Sequence, residues 1–258
     1  MPLPEPFVIT IAGVLGAVFG SFLNVCIVRL PRDESIFRPR SRCPRCSVPV
    51  AWYDNVPVLS WILLGGKCRR CREPISMQYP IVELITGALW AGAAWYYGLS
   101  VTALAAAAFG TILLGIGVTD ARHYLIPDEY TVGGLVLGLA LSLRGGLEGL
   151  VAALIGAAVG FVILMAVAWL GEKAFKQEAM GGGDIKMMAM VGAFVGWKGV
   201  LLTIFGGALL GTVIFVPMTL ILRQKRLVPF GVFLAAAAGI TFVVGDQVID
   251  WYMGFVWQ

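Results

Sequence analysis

The chain has 258 residues, of which 59% are hydrophobic and only 13% are charged, and its mean hydropathy is +0.87. Ordinary soluble domains are about 45–50% apolar, even with glycine counted, and about 25% charged. A soluble globule of this size has too little interior for so many apolar side chains and too few charges to stay soluble. The composition excludes a disordered chain, a coiled coil, a disulfide-rich secreted module and a cytosolic enzyme. The 33 glycines suit membrane helices that pack through small residues. We therefore predict an all-α polytopic membrane protein.

Eight apolar stretches are candidates for transmembrane helices, because roughly 20 largely apolar residues are needed to cross a bilayer. They cover approximately residues 7–28, 80–97, 101–119, 130–143, 147–170, 185–197, 199–222 and 228–245. The fourth and sixth stretches are short. The predicted fold is thus about eight transmembrane helices with one large loop, 29–79, after the first.

The basic residues predict the orientation of these spans. With eight crossings, two basic residues (Arg144 and Lys198) fall on one side of the membrane and seventeen fall on the other. The seventeen are Arg29, Arg32, Arg38, Arg40, Arg42, Arg45, Lys67, Arg69, Arg70, Arg72, Arg122, Lys173, Lys176, Lys186, Arg223, Lys225 and Arg226. Lys and Arg concentrate in cytoplasmic loops. Both termini are therefore predicted outside, and the loop 29–79 is predicted in the cytoplasm.

That loop contains two CxxC pairs, CPRC at 43–46 and CRRC at 68–71. Two such pairs about twenty residues apart have the spacing of a four-thiolate zinc knuckle. The predicted ligands are Cys43, Cys46, Cys68 and Cys71, and the site is structural because four thiolates leave no open position. Two redox disulfides are the alternative, against which a reducing cytoplasm argues. We predict no nucleic-acid partner, because the positive-inside rule already accounts for many of the basic residues.

Three carboxylates stand at the ends of predicted spans, where ionisable groups at membrane depth are functional candidates. Asp120 closes the third span and Asp184 opens the sixth, so both are predicted at the cytoplasmic ends of their helices. Two carboxylates at one depth make an aspartic dyad possible, in which one activates water and the other protonates a carbonyl. Asp184 has an alternative role as a helix N-cap. Asp128, after Pro127, is predicted to start or cap the next helix.

Two further ionisable residues have structural and functional alternatives. Glu83 lies about one turn into the second span and is either a buried partner of an arginine or a substrate contact. His123 is the only histidine, and a single histidine beside Asp120 and Arg122 is more often a surface loop residue than a general base.

The ordered set of motifs resembles type IV prepilin peptidases, the bifunctional leader peptidases and N-methyltransferases of bacterial inner membranes. The segment GGGDIK around Asp184 is similar to the GxGD motif of presenilin-like intramembrane aspartyl proteases. The other segments that carry the resemblance are GSFLNVCIVRLP (20–31), the paired CxxC, YDNVPVLSW (53–61), GGKCRRC (65–71), ISMQYPIVELITG (75–87), the Asp120 segment and PFGVFLAAA (229–237).

The resemblance implies a membrane aspartic endopeptidase with Asp120 and Asp184 as catalytic residues. Its substrates would be prepilins or pseudopilins with a short basic leader and a hydrophobic helix, cut after a glycine at the cytoplasmic face of the inner membrane. Acids such as Asp33, Asp54 or Glu73 would help to receive the basic leader. The second implied reaction is N-methylation of the new terminus with S-adenosylmethionine, for which the sequence contains no glycine-rich nucleotide-binding fold.

The expected organisation has three parts: a first transmembrane helix (1–28), a cytoplasmic zinc-knuckle loop associated with methyl transfer (29–79) and a helical bundle with the protease site (80–258). Two other classes of function are considered. A proton-coupled transporter would use intramembrane aspartates, but near the midplane and within an internal repeat. A zinc-containing membrane assembly factor would explain the loop but not two aspartates at matched depth.

Overall fold

The computed structural model describes residues 5–177, 180–222 and 229–256. Within these ranges the chain forms eight α-helices, together with isolated β-bridges and short 3₁₀ turns. The helices are α1 (Glu5–Arg29), α2 (Leu59–Leu63), α3 (Gln78–Tyr97), α4 (Val101–His123), α5 (Asp128–Ser142), α6 (Gly146–Phe175), α7 (Gly182–Leu222) and α8 (Phe230–Val256). The predicted cytoplasmic Arg223, Lys225 and Arg226, and the predicted start of the last span at residue 228, lie outside the described residues.

The eight predicted spans coincide with helical segments. The sixth and seventh spans lie in α7, which is interrupted at Gly196, where φ is +68° and ψ is 177°. Glycine adopts such a positive φ without the steric penalty that a Cβ atom brings. The break falls beside the predicted boundary between residues 197 and 199. The helix α8 continues to Val256, beyond the predicted end of the last span at residue 245.

Five stretches of the described chain are long and apolar enough to cross a membrane. They are Glu5–Arg32, Val101–His123, Asp128–Phe175, Gly182–Pro217 and Phe230–Phe255. The third stretch contains α5 and α6, and the fourth contains the break at Gly196. The protein is therefore an all-α multi-pass membrane protein, as predicted, and the count of eight crossings stays a prediction.

Residues 1–115 form one compact unit, in which α1 and α3 pack along each other. The two helices run in opposite directions, because Gly20 contacts the start of α3 at Glu83 and Gly16 contacts Trp90 further along. A Cβ atom on Gly20 would lie 2.8 Å from Cα of Glu83, so the small residue permits this close approach.

Residues 116–258 form the second unit, in which α7 packs against α5, α6 and α8. The closest approach is between α6 and α7, where Gly156 and Gly160 face the backbone of Met188 and Gly192. Small residues let two membrane helices approach until their backbones are in contact, which increases dispersion attraction. This packing buries the first turns of α7, which directly follow Asp184.

Candidate functional site

The four cysteines of the loop come together as predicted. Their sulfur atoms all lie within 4.8 Å of one another, and Sγ of Cys43 is 3.7 Å from Sγ of Cys71. A tetrahedral zinc ion with Zn–S bonds of about 2.3 Å sets its sulfur atoms about 3.8 Å apart. All four thiols are free, so the disulfide alternative is not what the structure contains. The donor set and the spacing both fit a structural zinc ion held by Cys43, Cys46, Cys68 and Cys71.

Each CxxC turn is closed by the same three backbone hydrogen bonds, so the loop contains two copies of one knuckle. In the first copy, the N–H of Cys43 donates to the carbonyl of Val48, that of Ser47 to Cys43 and that of Val50 to Ser41. In the second copy, the N–H of Cys68 donates to the carbonyl of Glu73, that of Arg72 to Cys68 and that of Ile75 to Gly66. Ser47 and Arg72, at equivalent positions, have φ of 58° and 60°. The backbone N–H groups of Cys71 and Arg70 also point at Cys68 and lower the pKa of its thiol to about 6, which favours the thiolate that a metal needs.

An ion pair attaches the second knuckle to the 3₁₀ turn Trp52–Asn55. The guanidinium of Arg69 donates from Nε and Nη2 to the carboxylate of Asp54, with the shortest distance 2.6 Å. These hydrogen bonds hold the pKa of Asp54 below its usual value. The Asp54 side chain is only 10% exposed. The carboxylate of Asp54 is held by Arg69, and its part in receiving a basic leader stays a prediction.

Glu83 is buried and binds a backbone amide, not an arginine. Its Oε2 accepts a hydrogen bond of 2.8 Å from the N–H of Val58, and Ser21 on α1 is also a partner. Val58 has φ +62°, a left-handed conformation that is rare for a β-branched residue. The carboxylate of Glu83 thus holds a strained turn of the loop against α1 and α3.

In the second unit, the three predicted carboxylates lie at the ends of three helices, and the start of a fourth helix contacts one of them. Asp120 lies three residues before the end of α4, and only 6% of it is exposed. Its Oδ2 accepts a hydrogen bond of 3.2 Å from the backbone N–H of Val232, in the first turn of α8. Gly231 lies against the same carboxylate: a Cβ atom there would be 2.8 Å from Oδ2 of Asp120. The start of α8 therefore supplies both a hydrogen-bond donor and the space that Asp120 occupies.

Asp184 lies in the first turn of α7, which begins at Gly182. It is near enough to Asp120 for the two carboxylates to interact electrostatically. Its Oδ1 is buried and accepts no hydrogen bond from the described residues. Asp184 is not the N-cap, because its own N–H already bonds to the carbonyl of Gly181. A buried carboxylate oxygen without a donor is costly unless another group or water reaches it, so this atom is open to a proton or a water.

Ile126 packs between the two glycine-containing turns of the site. A Cβ atom on Gly183 would lie 2.9 Å from Cβ of Ile126, and one on Gly231 would lie 2.8 Å from its Cδ1. Ile126 is buried. Its side chain therefore sets the spacing between the start of α7, which carries Asp184, and the start of α8, whose Val232 N–H donates to Asp120.

Asp128 starts α5 as predicted, but its side chain forms an ion pair instead of a cap. Lys186, two residues after Asp184, donates to both carboxylate oxygens of Asp128 at 2.7 and 2.8 Å. Both side chains are about half exposed. His123 is exposed at the end of α4, in keeping with a surface position. The ion pair joins the start of α5 to the second turn of α7.

Sequence reasoning missed three contributors to this region: the amide of Val232, the side chain of Ile126 and the ion pair of Lys186. The segment PFGVFLAAA carries a resemblance but no ionisable side chain. A backbone amide has no side-chain signature, and Ile126 is one apolar residue among many. The signal that was available is the proline on each side of the site, Pro127 and Pro229, because proline commonly marks the first turn of a helix.

The described chain is thus a multi-pass helical membrane protein with a four-cysteine knuckle and a pair of carboxylates at converging helix ends. Comparison with known proteins identifies this class further: the chain belongs to the Type IV leader peptidase family. The model of that family matches residues 107–216, and the model of the Bacterial Peptidase A24 N-terminal domain matches residues 14–97. This membership favours an enzyme over the transporter and the assembly factor that the sequence left open.

Three relatives share the name prepilin leader peptidase/N-methyltransferase. The protein of Myxococcus xanthus is 41% identical over 80% of this chain and 62% of its own length. That of Stutzerimonas stutzeri is 37% identical over 98% of this chain and 96% of its own length. That of Pseudomonas aeruginosa is 36% identical over 94% and 92%, respectively. No solved structure matches the chain.

Proposed function

We propose that this protein removes the leader peptides of type IV prepilins or pseudopilins, with Asp120 and Asp184 as the catalytic dyad. The observation that carries the proposal is the juxtaposition of two carboxylates 64 positions apart in the chain, at the ends of α4 and α7. The relatives of this chain carry the name of that activity.

The dyad cleaves the peptide bond by acid–base catalysis of water attack. Two carboxyl groups that interact electrostatically share one proton, because the negative charge of one disfavours ionisation of the other. The ionised carboxylate removes a proton from water, whose oxygen bonds to the scissile carbonyl carbon while the protonated carboxyl donates to the carbonyl oxygen. Collapse of the resulting diol breaks the C–N bond. One hydroxyl of the diol returns its proton to the ionised carboxylate as the carbonyl re-forms, and the leaving amine takes the proton held by the other carboxyl. The two carboxyl groups then share one proton again.

The two carboxylates differ in their surroundings, which suggests how the roles are divided. Oδ2 of Asp120 accepts the N–H of Val232, and an acceptor bond of this kind stabilises an ionised carboxylate. Oδ1 of Asp184 is buried without a donor among the described residues, as expected for the carboxyl that carries the shared proton. We assign the base to Asp120 and the acid to Asp184 in the resting enzyme.

The helix ends also suggest where cleavage occurs. A substrate with a basic leader and a hydrophobic helix would place its scissile bond where the helix leaves the membrane. The dyad lies at such ends of α4 and α7. Most of the basic residues are predicted on the same side of the membrane as these helix ends. The positive-inside rule then places the site at the cytoplasmic face of the inner membrane. Labelling of single cysteines with a reagent added outside the cell tests this orientation. Cysteines beside Arg144 or Lys198 should react, and cysteines beside Arg40 or Lys176 should be protected.

The second proposed activity is N-methylation of the new amino terminus with S-adenosylmethionine as the methyl donor. The described residues form helices and isolated β-bridges, so they do not fit a sheet-based, glycine-rich site for this donor. No residue is assigned to bind the donor. The zinc-knuckle loop 29–79 is the proposed region for methyl transfer, apart from the proposed bundle 80–258.

The knuckle has a structural role in this proposal. Zinc held by Cys43, Cys46, Cys68 and Cys71 would have no open coordination position, so it supplies folding free energy and not a Lewis acid for substrate. The ion pair of Arg69 with Asp54 connects the zinc-ordered knuckle to the neighbouring 3₁₀ turn, so the metal also orders that turn.

The proposal is tested with Asp120→Asn and Asp184→Asn in the full-length protein. An amide keeps the size of the side chain but cannot share or transfer the proton. We expect each variant to insert and accumulate as the wild type does but to leave a co-expressed prepilin uncut, as read from the mass of its amino terminus. Cleavage at the wild-type rate by Asp184→Asn would exclude the dyad. Glu129→Gln, an exposed acid at the start of α5, is the matched control.

A further inference from the structure

The loop between α1 and α3 presents a run of large apolar side chains without protein cover in the described chain. We call this segment, residues 52–63, the apolar turn. Trp52 is 83% exposed and Leu63 is 85% exposed. The other exposed members are Tyr53, Val56, Leu59 and Ile62. Six exposed large apolar side chains within twelve consecutive residues indicate an interaction site.

The depth of the apolar turn follows from its attachment to α3. The N–H of Val58 donates to Oε2 of Glu83. Glu83 lies opposite Gly20 of α1, nine positions before the end of that helix at Arg29. At about 1.5 Å per residue, this is roughly 14 Å along the helix axis. Even if the Glu83 side chain reaches back by one turn of about 5.4 Å, Val58 lies well below the basic end of α1.

The stretch Glu5–Arg32, which contains α1, is long and apolar enough to cross the membrane. A turn that is held beside this helix below Arg29 lies at the level of the bilayer surface. The neighbouring surface of α3 is apolar as well, with Ile81 and Leu84 exposed. The apolar turn therefore continues the exposed apolar surface of α3.

We infer that the apolar turn inserts into the interface of the phospholipid bilayer beside α1 and α3. Trp and Tyr, whose rings have apolar faces and polar edges, are enriched at this level of a membrane. Arg69 lies over the ring of Tyr53, with its Cζ 5.5 Å from the ring centroid, so a cation is carried at the same level as the aromatic ring. Glu83 and Ser60 fix the turn from the protein side: Ser60 donates to the carbonyl of Tyr53 and accepts from the N–H of Val56.

This inference does not depend on the proposed peptidase activity. A hydrophobic substrate helix or a second copy of the chain would need a binding event to cover the apolar turn, whereas lipid is adjacent to α1 at all times. The bilayer is therefore the occupant that the geometry favours, and the other two are distinguishable outcomes of one experiment.

The experiment measures the depth of a nitroxide on Leu63→Cys in the full-length zinc-loaded protein, reconstituted in vesicles of phosphatidylethanolamine and phosphatidylglycerol. Phe37→Cys is the matched control, because Phe37 is 81% exposed in the same loop but outside the apolar turn. Wild-type protein treated in parallel gives the background from its own cysteines. Collisions with oxygen, which concentrates in lipid, are compared with collisions with a water-soluble nickel chelate.

We expect a several-fold loss of nickel collisions and a gain of oxygen collisions at Leu63 relative to Phe37, without any substrate present. Leu59→Cys, at a second exposed position of the same turn, should give the same pattern. Equal nickel access at Leu63 and Phe37 would overturn the inference. So would protection that arises only after a pilin fragment is added, which indicates a substrate surface, or protection that disappears on dilution in lipid, which indicates a second copy.

Discussion

The backbone N–H of Val232 donates to Oδ2 of Asp120 across 112 positions of sequence. The helix α8 therefore contributes to the proposed dyad although it carries neither carboxylate. Its first turn presents an amide at the positive end of the helix dipole, which favours a negative charge on its partner. Gly231 leaves the space that the carboxylate fills.

Gly231→Ala is expected to slow cleavage strongly while the protein stays folded. The added Cβ atom would lie 2.8 Å from both Oδ2 of Asp120 and Cδ1 of Ile126, so the carboxylate must move. Overpacking of this kind costs about 1–3 kcal/mol, whereas a displacement of about 1 Å in a catalytic group lowers a rate by about 100-fold. Initial rates of prepilin cleavage by the purified variant, alongside its thermal unfolding, measure the two effects.

Gly133→Ala on α5 is the matched control for this prediction, because nothing lies within 4 Å of its added Cβ atom. It should leave both the cleavage rate and the unfolding temperature close to those of the wild type. If Gly231→Ala cleaves prepilin at the wild-type rate, the start of α8 does not position Asp120.

The sequence predicted what depends on local signals. Apolar runs located the helices, the repeated CxxC spacing located Cys43 and Cys68 in one cluster, and charges at the ends of apolar runs located Asp120 and Asp184. The structure adds what depends on distant parts of the chain. The ion pair of Asp54 with Arg69 has no local signal in the sequence, because it depends on how the loop folds back on its second knuckle.

The ion pair of Asp128 and Lys186 is expected to be a modest stabilising contact. Both side chains are about half exposed, and exposed ion pairs contribute about 0–1 kcal/mol because water and salt screen them. Asp128→Asn and Lys186→Met should each lower the free energy of unfolding by no more than about 1 kcal/mol, and the double variant by little more than either. Denaturation of the four proteins in one detergent gives this double-mutant cycle.

The same variants separate a structural role from a catalytic one. Asp128→Asn should retain most of the cleavage activity, since Asp128 contacts Lys186 and not the pair of carboxylates. Abolished cleavage with unchanged stability would instead place Asp128 in the chemistry. Reversal of both charges, Asp128→Lys with Lys186→Asp, should recover stability that either reversal alone removes.

Removal of either CxxC pair is expected to release the metal completely. The two knuckles have equivalent hydrogen bonds and share one cluster of sulfurs, so Cys43→Ser/Cys46→Ser and Cys68→Ser/Cys71→Ser should have equal effects. Wild-type protein should carry one zinc ion per chain by elemental mass spectrometry, and both double variants none. Cys26→Ala, which changes the buried cysteine of α1, is the control and should keep its zinc.

Loss of zinc should also loosen the turn around Asp54. Because the binding free energy of a structural metal is folding free energy, amides of Cys43, Cys68 and Asp54 should exchange with deuterium faster after chelation. Those of Met187 and Met188 in α7 should not. A metal-free protein with unchanged exchange at both knuckles would mean that the hydrogen bonds alone hold the loop.

The two proposed chemistries should separate when the substrate is supplied already cut. Hydrolysis needs a water activated by the dyad, whereas methylation needs an amine nucleophile and a methyl donor. Asp184→Asn is therefore expected to leave an uncut prepilin unchanged but to methylate a pilin supplied with its mature amino terminus. Cys43→Ser/Cys46→Ser is expected to show the reverse preference, with methylation reduced more than cleavage, because the proposed methyl-transfer region is the loop that zinc orders.

Each variant is given cut and uncut pilin with S-adenosylmethionine, and the masses of the products report both reactions. Equal loss of both reactions in the cysteine variant would mean that the loop supports the whole enzyme. Loss of methylation on cut pilin in Asp184→Asn would mean that both reactions use one site.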